Sequence, residues 1–229
     1  MPRYAIFYSP RLGSPLNQAA NLWLGRDVIT GAMIERPSPI DGMKQSQFDD
    51  MVSSARRYGF HGTLKAPFEL AEGHSINELE DALAAYCTHL TPFTMSQFKI
   101  GQLGRFFALL PSAPSQELND LASALVRDFD AFRAPLNQAD IARRNPDKLS
   151  ASQRDNLLNW GYPHIFENFR FHMTLTDPVP QDLTHTFKTA LNTHFSSCLN
   201  QAPSFSALSL FIEPERGAPF LVKRQFPIG

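Results

Sequence analysis

The chain has 229 residues, with 21 Lys and Arg against 22 Asp and Glu, so its formal net charge is -1. Its 43% hydrophobic and 19% charged content is typical of a folded globular protein and excludes a disordered segment. The near-zero charge excludes a global field that would recruit nucleic acid or an anionic membrane. Any anion-binding site must therefore be local.

Membrane, disulfide and cofactor signals are absent from the sequence. No apolar run is long enough to span a bilayer, and the N-terminal residues alternate like a first strand rather than a secretory signal. Cys87 and Cys198 are too few for a disulfide framework, which favours a cytoplasmic protein with reduced thiols. Because H-E-x-x-H, C-x-x-C and Walker-type Gly-rich motifs are missing, we expect no metal and no cofactor.

The first half of the chain alternates strand and helix patterns. Ser14 and Gly25 mark the start and end of one helix, and Ser75 with Glu78 forms a capping box that opens another. The predicted elements are a strand at 3–8, helices at 14–24 and 44–56, the strand that carries FHGTL, the helix after Ser75, strands at 94–101 and 105–111, and a helix at 115–132.

The second half repeats this order around a repeated phrase. FHGTLKAP occupies residues 60–67 and FHMTLTDP residues 171–178, and a cysteine follows each motif histidine by 26 residues. A helix at 150–160 precedes the second phrase, and a helix at about 181–199 and strands at 206–212 and 219–226 follow it. Such a repeat is typical of duplication.

We therefore predict an α+β fold made of two duplicated β-α-β-β-type lobes. Their antiparallel sheets face a central cleft, and the helices lie outside. The single bilobal domain covers 1–229, with lobe halves at roughly 9–111 and 115–229. The strand at 3–8 completes a sheet, and 134–165 is an irregular insert.

The repeated phrase brings reactive side chains to one face of a strand. Residues i and i+2 share a face, so His61 projects with Thr63, and His172 with Thr174. Two His and two Thr that converge on one cleft suit phosphodiester chemistry. One neutral imidazole removes a proton, the other donates one, and the hydroxyls hold the phosphate. An unperturbed His has a pKa of about 6.5, so the pair can hold opposite protonation states near neutrality.

Other polar residues are weaker candidates for the site. The H-x-[ST] pattern also occurs at His89 and His194, but on predicted helices, where i and i+2 diverge. Strand parity places Lys65 on the same face as His61. It places Arg57 there too if the strand begins that early. His164 is expected to be solvated. The candidate phosphate-binding residues are Arg57, Tyr58, Lys65, Arg105, Tyr162 and Lys223.

The two H-x-T motifs in duplicated lobes resemble the 2H (two-histidine) phosphoesterase superfamily. YGFHGTLKAPF and WGYPHIFENFRFHMTLTDP are similar to the branch often encoded beside phosphonate-degradation genes. The resemblance covers nearly the whole chain. It implies the bilobal fold, metal-independent chemistry at a phosphodiester, and catalytic roles for His61, Thr63, His172 and Thr174. The insert at 134–165 is not required by the superfamily pattern.

Three functions are consistent with the sequence. The leading hypothesis is an enzyme that opens a small cyclic phosphodiester, such as a phosphorylated ribose cyclic phosphate. The alternatives are an enzyme that acts on RNA 2′,3′-cyclic phosphates or 2′–5′ linkages, and a non-catalytic protein that binds a phosphate ligand. Hydrolysis versus ligation, the assignment of acid and base between the histidines, and the oligomeric state stay open.

Overall fold

The computed structural model describes residues 1–229 and contains nine strands and nine α-helices. The strands are β1 (Arg3–Tyr8), β2 (Gly62–Phe68), β3 (Phe93–Thr94), β4 (Phe98–Leu103), β5 (Phe106–Pro111), β6 (Met173–Thr174), β7 (Ser204–Phe205), β8 (Ala207–Glu213) and β9 (Leu221–Pro227). The α-helices are α1 (Pro15–Leu24), α2 (Gln45–Asp50), α3 (Ser53–Tyr58), α4 (Ile76–Cys87), α5 (Gln116–Asp128), α6 (Gln138–Arg143), α7 (Ala151–Trp160), α8 (Thr184–His194) and α9 (Ser196–Leu199).

Local capping signals explain where several helices begin and end. The Ser14 hydroxyl accepts a hydrogen bond from the Asn17 amide at the start of α1, and Gly25 ends this helix with a φ of 69°. Ser75 and Glu78 form the predicted capping box of α4. The helix predicted at 44–56 is instead two helices, α2 and α3, because the backbone leaves the helical region at Val52, where φ is -125° and ψ is 8°.

Seven antiparallel strands form one sheet in the order β4-β5-β6-β2-β1-β8-β9, and β3 pairs with β7 in a separate ribbon. The predicted α+β class with antiparallel strands is confirmed. The strand order also interleaves the two halves of the sequence. Strand β6 from the second half lies beside the β4–β5 hairpin from the first, and β2 lies on the β1–β8–β9 side.

The two faces of β1 separate the hydrophobic core into a large and a small part. Tyr4, Ile6 and Tyr8 pack in the large core together with helices α1, α4, α5 and α8. Ala5 and Phe7 point the other way, into a small cluster completed by Val28, Phe211, Phe220 and Val222. The side of the sheet that carries Phe7 therefore has its own apolar support.

The segment 134–165 holds α6, a short 3-10 helix at Pro146–Lys148 and α7. Cys87 and Cys198 are both buried and unpaired. None of the helices is long and apolar enough to cross a membrane.

Candidate active site

The two motif strands pair directly with each other. Gly62 in β2 lies opposite Met173 in β6, in antiparallel register. One step to either side, this register sets His61 across from Thr174 and Thr63 across from His172. Cross-strand neighbours share a face and have Cβ atoms about 4.5–5.5 Å apart. The sheet thus brings both predicted pairs together around a local twofold axis between Gly62 and Met173.

Both motif histidines are oriented by the same backbone contact. The Nδ1 atom of His61 lies 2.8 Å from the Gly59 carbonyl oxygen, and Nδ1 of His172 lies 2.7 Å from the Arg170 carbonyl oxygen. In each case the acceptor is two residues upstream. A carbonyl can only accept, so each Nδ1 carries the proton and donates it. This leaves Nε2 of each ring available to a ligand.

The imidazole of His61 lies among aromatic rings. It stacks on Phe7 with 4.0 Å between ring centroids, and Tyr58 and Phe211 lie 5.7 and 6.0 Å away. Burial against these rings lowers the pKa of His61 to about 4, although the bond to Gly59 opposes this shift and the nearby His172 adds to it. With this pKa the imidazole of His61 is neutral at pH 7 and can accept a proton.

The surroundings of His172 are different. Phe106 is its aromatic neighbour, with 5.9 Å between centroids. His172 lines a cavity of about 570 Å³, whereas His61 lines one of about 200 Å³. Thr63 and Tyr162 line both cavities. The two cavities are thus adjoining parts of one cleft, with a motif histidine in each.

Hydroxyl groups in the cleft are available for binding. Thr63 and Thr174 line the cleft, so their hydroxyls are candidate donors to a ligand. Tyr58 and Tyr162 line it as well. Burial raises the pKa of Tyr162, while Arg144 opposes this shift and Tyr58 adds to it, so the hydroxyl stays protonated and able to donate.

Lys65 does not line this cleft. Phe7 of β1 pairs with Thr63, but Ile6 pairs with Lys65, because β2 has an irregularity between these positions. Since Ile6 and Phe7 face opposite sides, Lys65 lies on the side away from Thr63, contrary to the parity expectation. Its ammonium is buried, donates to the Val126 carbonyl at 3.0 Å and pairs with Asp130 at 3.5 Å.

Three further candidate cations also lie outside the cleft lining. Arg57 is held at the end of α3 by Glu213, at 2.9 Å, and its guanidinium lies 4.3 Å from the ring centroid of Tyr58. Arg105 is exposed in the turn between β4 and β5. Lys223 pairs with Glu80 of α4 at 3.3 Å. Of the candidate binding residues, only Tyr58 and Tyr162 line the cleft with the four motif residues.

The structure adds Arg144, which the sequence did not identify, and places His164, which was expected to be solvated, in the cleft. Arg144, in the segment 134–165, lines the His61 part of the cleft, and its guanidinium lies 4.9 Å from the ring centroid of Tyr162. His164 lines the His172 part, and its pKa is lowered by burial first, then by Arg144 and His172. Arg144 directly follows α6 and His164 lies in the loop after α7, and no local sequence pattern marks either as a cleft residue.

The chain contains no group of three or more His, Cys, Asp or Glu side chains arranged to hold a metal ion. In the cleft, the catalytic candidates are imidazoles and hydroxyls, which suit proton transfer and phosphate binding.

Comparison with known proteins places the chain among relatives of about twice its length. It is 36% identical over 231 residues to "Ribose 1,5-bisphosphate phosphokinase PhnN" of Janthinobacterium sp. (strain Marseille), covering 99% of this chain and 51% of that protein. It is 33% identical over 222 residues to the protein of the same name from Laribacter hongkongensis (strain HLHK9), covering 97% and 51%. The chain spans about half the length of the curated relatives it matches.

A solved structure described as E. coli LigT complexed with 3′-AMP is similar over 99% of this chain and 98% of that one, with a TM-score of 0.42 and 12% identity. The two H-x-T motifs that carry the resemblance to two-histidine phosphoesterases lie on directly paired strands. The family model described as "Protein of unknown function (DUF1045)" matches residues 63–221, which is well over half of the chain. The chain therefore belongs to the DUF1045 family.

Proposed function

We propose that the protein is a metal-independent phosphodiesterase that opens a small cyclic phosphodiester by acid–base catalysis with two histidines. The observation that carries this proposal is the register of β2 and β6, which sets His61 opposite Thr174 and Thr63 opposite His172. Both imidazoles have Nδ1 tied to a carbonyl, so both present Nε2 to the same cleft.

The different surroundings of the two rings support an assignment of the base to His61 and the acid to His172. His61 is neutral because of its aromatic surroundings, so its Nε2 removes a proton from the attacking water. A new bond forms between the water oxygen and phosphorus while the ring P–O bond breaks. Nε2–H of His172 protonates the oxygen that leaves. The product is an opened phosphomonoester, and proton exchange with water restores both imidazoles.

The two threonines hold the phosphate during this reaction. Their hydroxyls flank the histidines on the shared face and can donate to the non-bridging oxygens. Donors that are already in place stabilise the charge that develops at phosphorus without reorganisation. The Tyr162 hydroxyl, at the boundary between the two parts of the cleft, is a further donor.

A sugar phosphate is the substrate class that we favour. The cleft, with parts of about 200 and 570 Å³, falls in the size range of small-molecule sites. The two curated relatives are named for a kinase of ribose 1,5-bisphosphate. Because this chain has no Walker-type phosphate loop, we propose a ribose phosphate as its substrate but not a kinase reaction.

The test is turnover of a panel of cyclic phosphates by protein treated with EDTA. The panel contains ribose cyclic phosphates with and without a second phosphate, 2′,3′-cyclic nucleotides and 3′,5′-cyclic nucleotides. We expect turnover of at least one five-membered cyclic phosphate, unchanged by the chelator. No turnover of any member, or loss of turnover on chelation, contradicts the proposal.

One observation favours a second candidate, an enzyme that opens cyclic phosphates at RNA ends. The His172 part of the cleft is lined by Phe106, Phe169 and Tyr162, which can stack on bases, and by Arg170. An oligoribonucleotide with a 2′,3′-cyclic phosphate end tests this candidate. Turnover that exceeds that of the mononucleotide and weakens with salt supports it, since phosphate contacts release counterions. Equal turnover of both substrates contradicts it.

A further inference from the structure

Arg144 is the one basic side chain that lines the His61 part of the cleft, and no acidic side chain lines it. Its guanidinium packs on the ring of Tyr162 and makes no ion pair with a carboxylate of the chain. The preceding residue, Arg143, differs in this respect, because it pairs with Asp140 at 2.8 Å. Arg144 therefore presents an uncompensated positive charge to the cleft.

A second, smaller cavity with a largely basic lining lies behind Arg144. Arg144 and Tyr162 form the wall between the His61 part of the cleft and a small cavity of about 50 Å³. That cavity is lined by six basic side chains and two acidic ones. They are Arg3, Lys65, Arg133, Arg143, Arg144, Arg216, Glu69 and Asp140.

Five of the six basic side chains around this cavity are paired with carboxylates. Arg3 pairs with Glu213, Lys65 and Arg133 pair with Asp130, and Arg143 and Arg216 pair with Asp140. Arg144 is the sixth and forms no ion pair, so its positive charge is the one available to an anion in the cleft.

The reacting phosphate has a different set of donors. Thr63 and Thr174 lie on the sheet between the histidines, whereas Arg144 comes from the separate segment 134–165. A planar guanidinium binds the oxygens of a phosphate through two parallel hydrogen bonds. The cleft thus offers one place for a phosphate that reacts and a second place for an anion that does not.

We propose that Arg144 and the Tyr162 hydroxyl form a second anion subsite, which binds a non-reacting phosphomonoester of the substrate. The inference rests on the proposed function and deepens it, because it makes the preferred substrate a cyclic phosphodiester that carries a second, terminal phosphate. The terminal phosphate holds the sugar in one orientation, so the two ester oxygens of the cyclic phosphate are no longer equivalent to His172.

Kinetics with a matched pair of substrates test this subsite. The pair is ribose 1,2-cyclic phosphate with and without a phosphate at C5. We expect wild-type kcat/KM to be higher for the phosphorylated member by about tenfold or more, the usual effect of a hydrogen-bonded charge pair. Arg144→Gln should remove this preference and leave kcat/KM for the substrate without the C5 phosphate almost unchanged. Arg144→Lys keeps the charge but not the planar guanidinium, so it should retain part of the preference.

Arg143→Gln is the matched control, since it removes an adjacent arginine that does not line the His61 part of the cleft. It should retain the wild-type preference. Three results would overturn the subsite. Arg144→Gln could lose kcat/KM equally for both substrates, the wild type could show no preference between them, or Arg143→Gln could show the same change as Arg144→Gln. Circular dichroism shows whether Arg144→Gln folds. If it does not, the test uses Arg144→Lys instead, and a substrate preference in that variant equal to the wild-type preference overturns the subsite.

Binding of ribose 5-phosphate, measured by calorimetry, separates this inference from the proposed function. We expect the wild type and the His61→Ala/His172→Ala variant to bind it alike, and Arg144→Gln to bind it about tenfold or more weakly. If the wild type turns over no cyclic phosphate, the proposed function fails, yet this pattern of binding still supports the subsite. Binding that is absent from the wild type or unaffected by Arg144→Gln overturns it.

Discussion

The ring of Phe171 lies against the backbone of Gly62, so close that a Cβ atom at position 62 would come within 2.4 Å of Phe171 Cε2. Each of the two residues belongs to one of the repeated phrases. The contact lies on the apolar side of the strands, opposite the catalytic candidates, and Phe171 is 7% exposed. The strands that carry the two motifs therefore pack against each other on their apolar side through a contact that only glycine at position 62 permits.

Gly62→Ala should damage this contact. The added methyl group must displace either the buried Phe171 ring or β6, and overpacking of this kind costs typically about 1–3 kcal/mol. We expect a lower free energy of unfolding and a large loss of activity, because any shift of β6 moves His172 relative to His61. Chemical denaturation and kinetics on the best substrate of the panel are the measurements.

Phe171→Leu provides the matched control for Gly62→Ala. In the double variant the smaller side chain makes room for the methyl group, so the two effects on stability should be less than additive. Additive losses would show that the clash between these two residues is not the cause.

The sequence predicted those features that local chemistry determines. The caps at Ser14 and Ser75 and the motif face with His61 and His172 depend on neighbours only a few residues away. The direct pairing of β2 with β6 depends on contacts about 110 residues apart along the chain, and no local pattern encodes it.

The positions of Lys65 and Arg144 could not be predicted from strand parity or composition. Lys65 was placed by strict alternation, but the irregular register of β2 turns it to the other side. Arg144 caps the C-terminus of the short helix α6, and the placement of this helix beside the sheet, which no local residue pattern encodes, brings the side chain to the cleft.

The acid limb of the pH–rate profile should reflect the aromatic surroundings of His61. Its pKa is lowered to about 4, so it stays neutral, and active as a base, until the pH approaches that value. We expect the acid limb of kcat/KM near pH 4 and not near the unperturbed value of about 6.5. Tyr58→Ala, which opens one side of the ring, should move the limb upward. A wild-type limb near 6.5 contradicts this account of His61.

Lys65 should make stability depend on pH above neutrality. Burial lowers its pKa from 10.5 to about 8, with Asp130 opposing the shift. Between these values the unfolded chain binds the proton more readily than the folded one, so the free energy of unfolding rises with pH, by at most about 1.4 kcal/mol per unit.

Lys65→Met removes this titration. Denaturation between pH 7 and 10 should show the stability of the wild type rising relative to that of the variant. Lys223→Met, which changes an exposed lysine, is the control and should follow the wild type. Parallel curves for Lys65→Met and the wild type would mean that Lys65 keeps its ordinary pKa.

We propose above all that the two H-x-T motifs form one catalytic centre. The most direct test is kcat/KM for the best cyclic phosphate, with EDTA present, in His61→Ala, His172→Ala and the double variant. His89→Ala serves as the control, because it removes an exposed histidine from an H-x-T pattern outside the sheet.

Each single variant should lose about 10²–10⁴-fold. The double variant should lose little more than the worse of the two, because groups that act together are not additive. His89→Ala should match the wild type. Unchanged turnover in either single variant, or losses that multiply in the double variant, would contradict a shared two-histidine site.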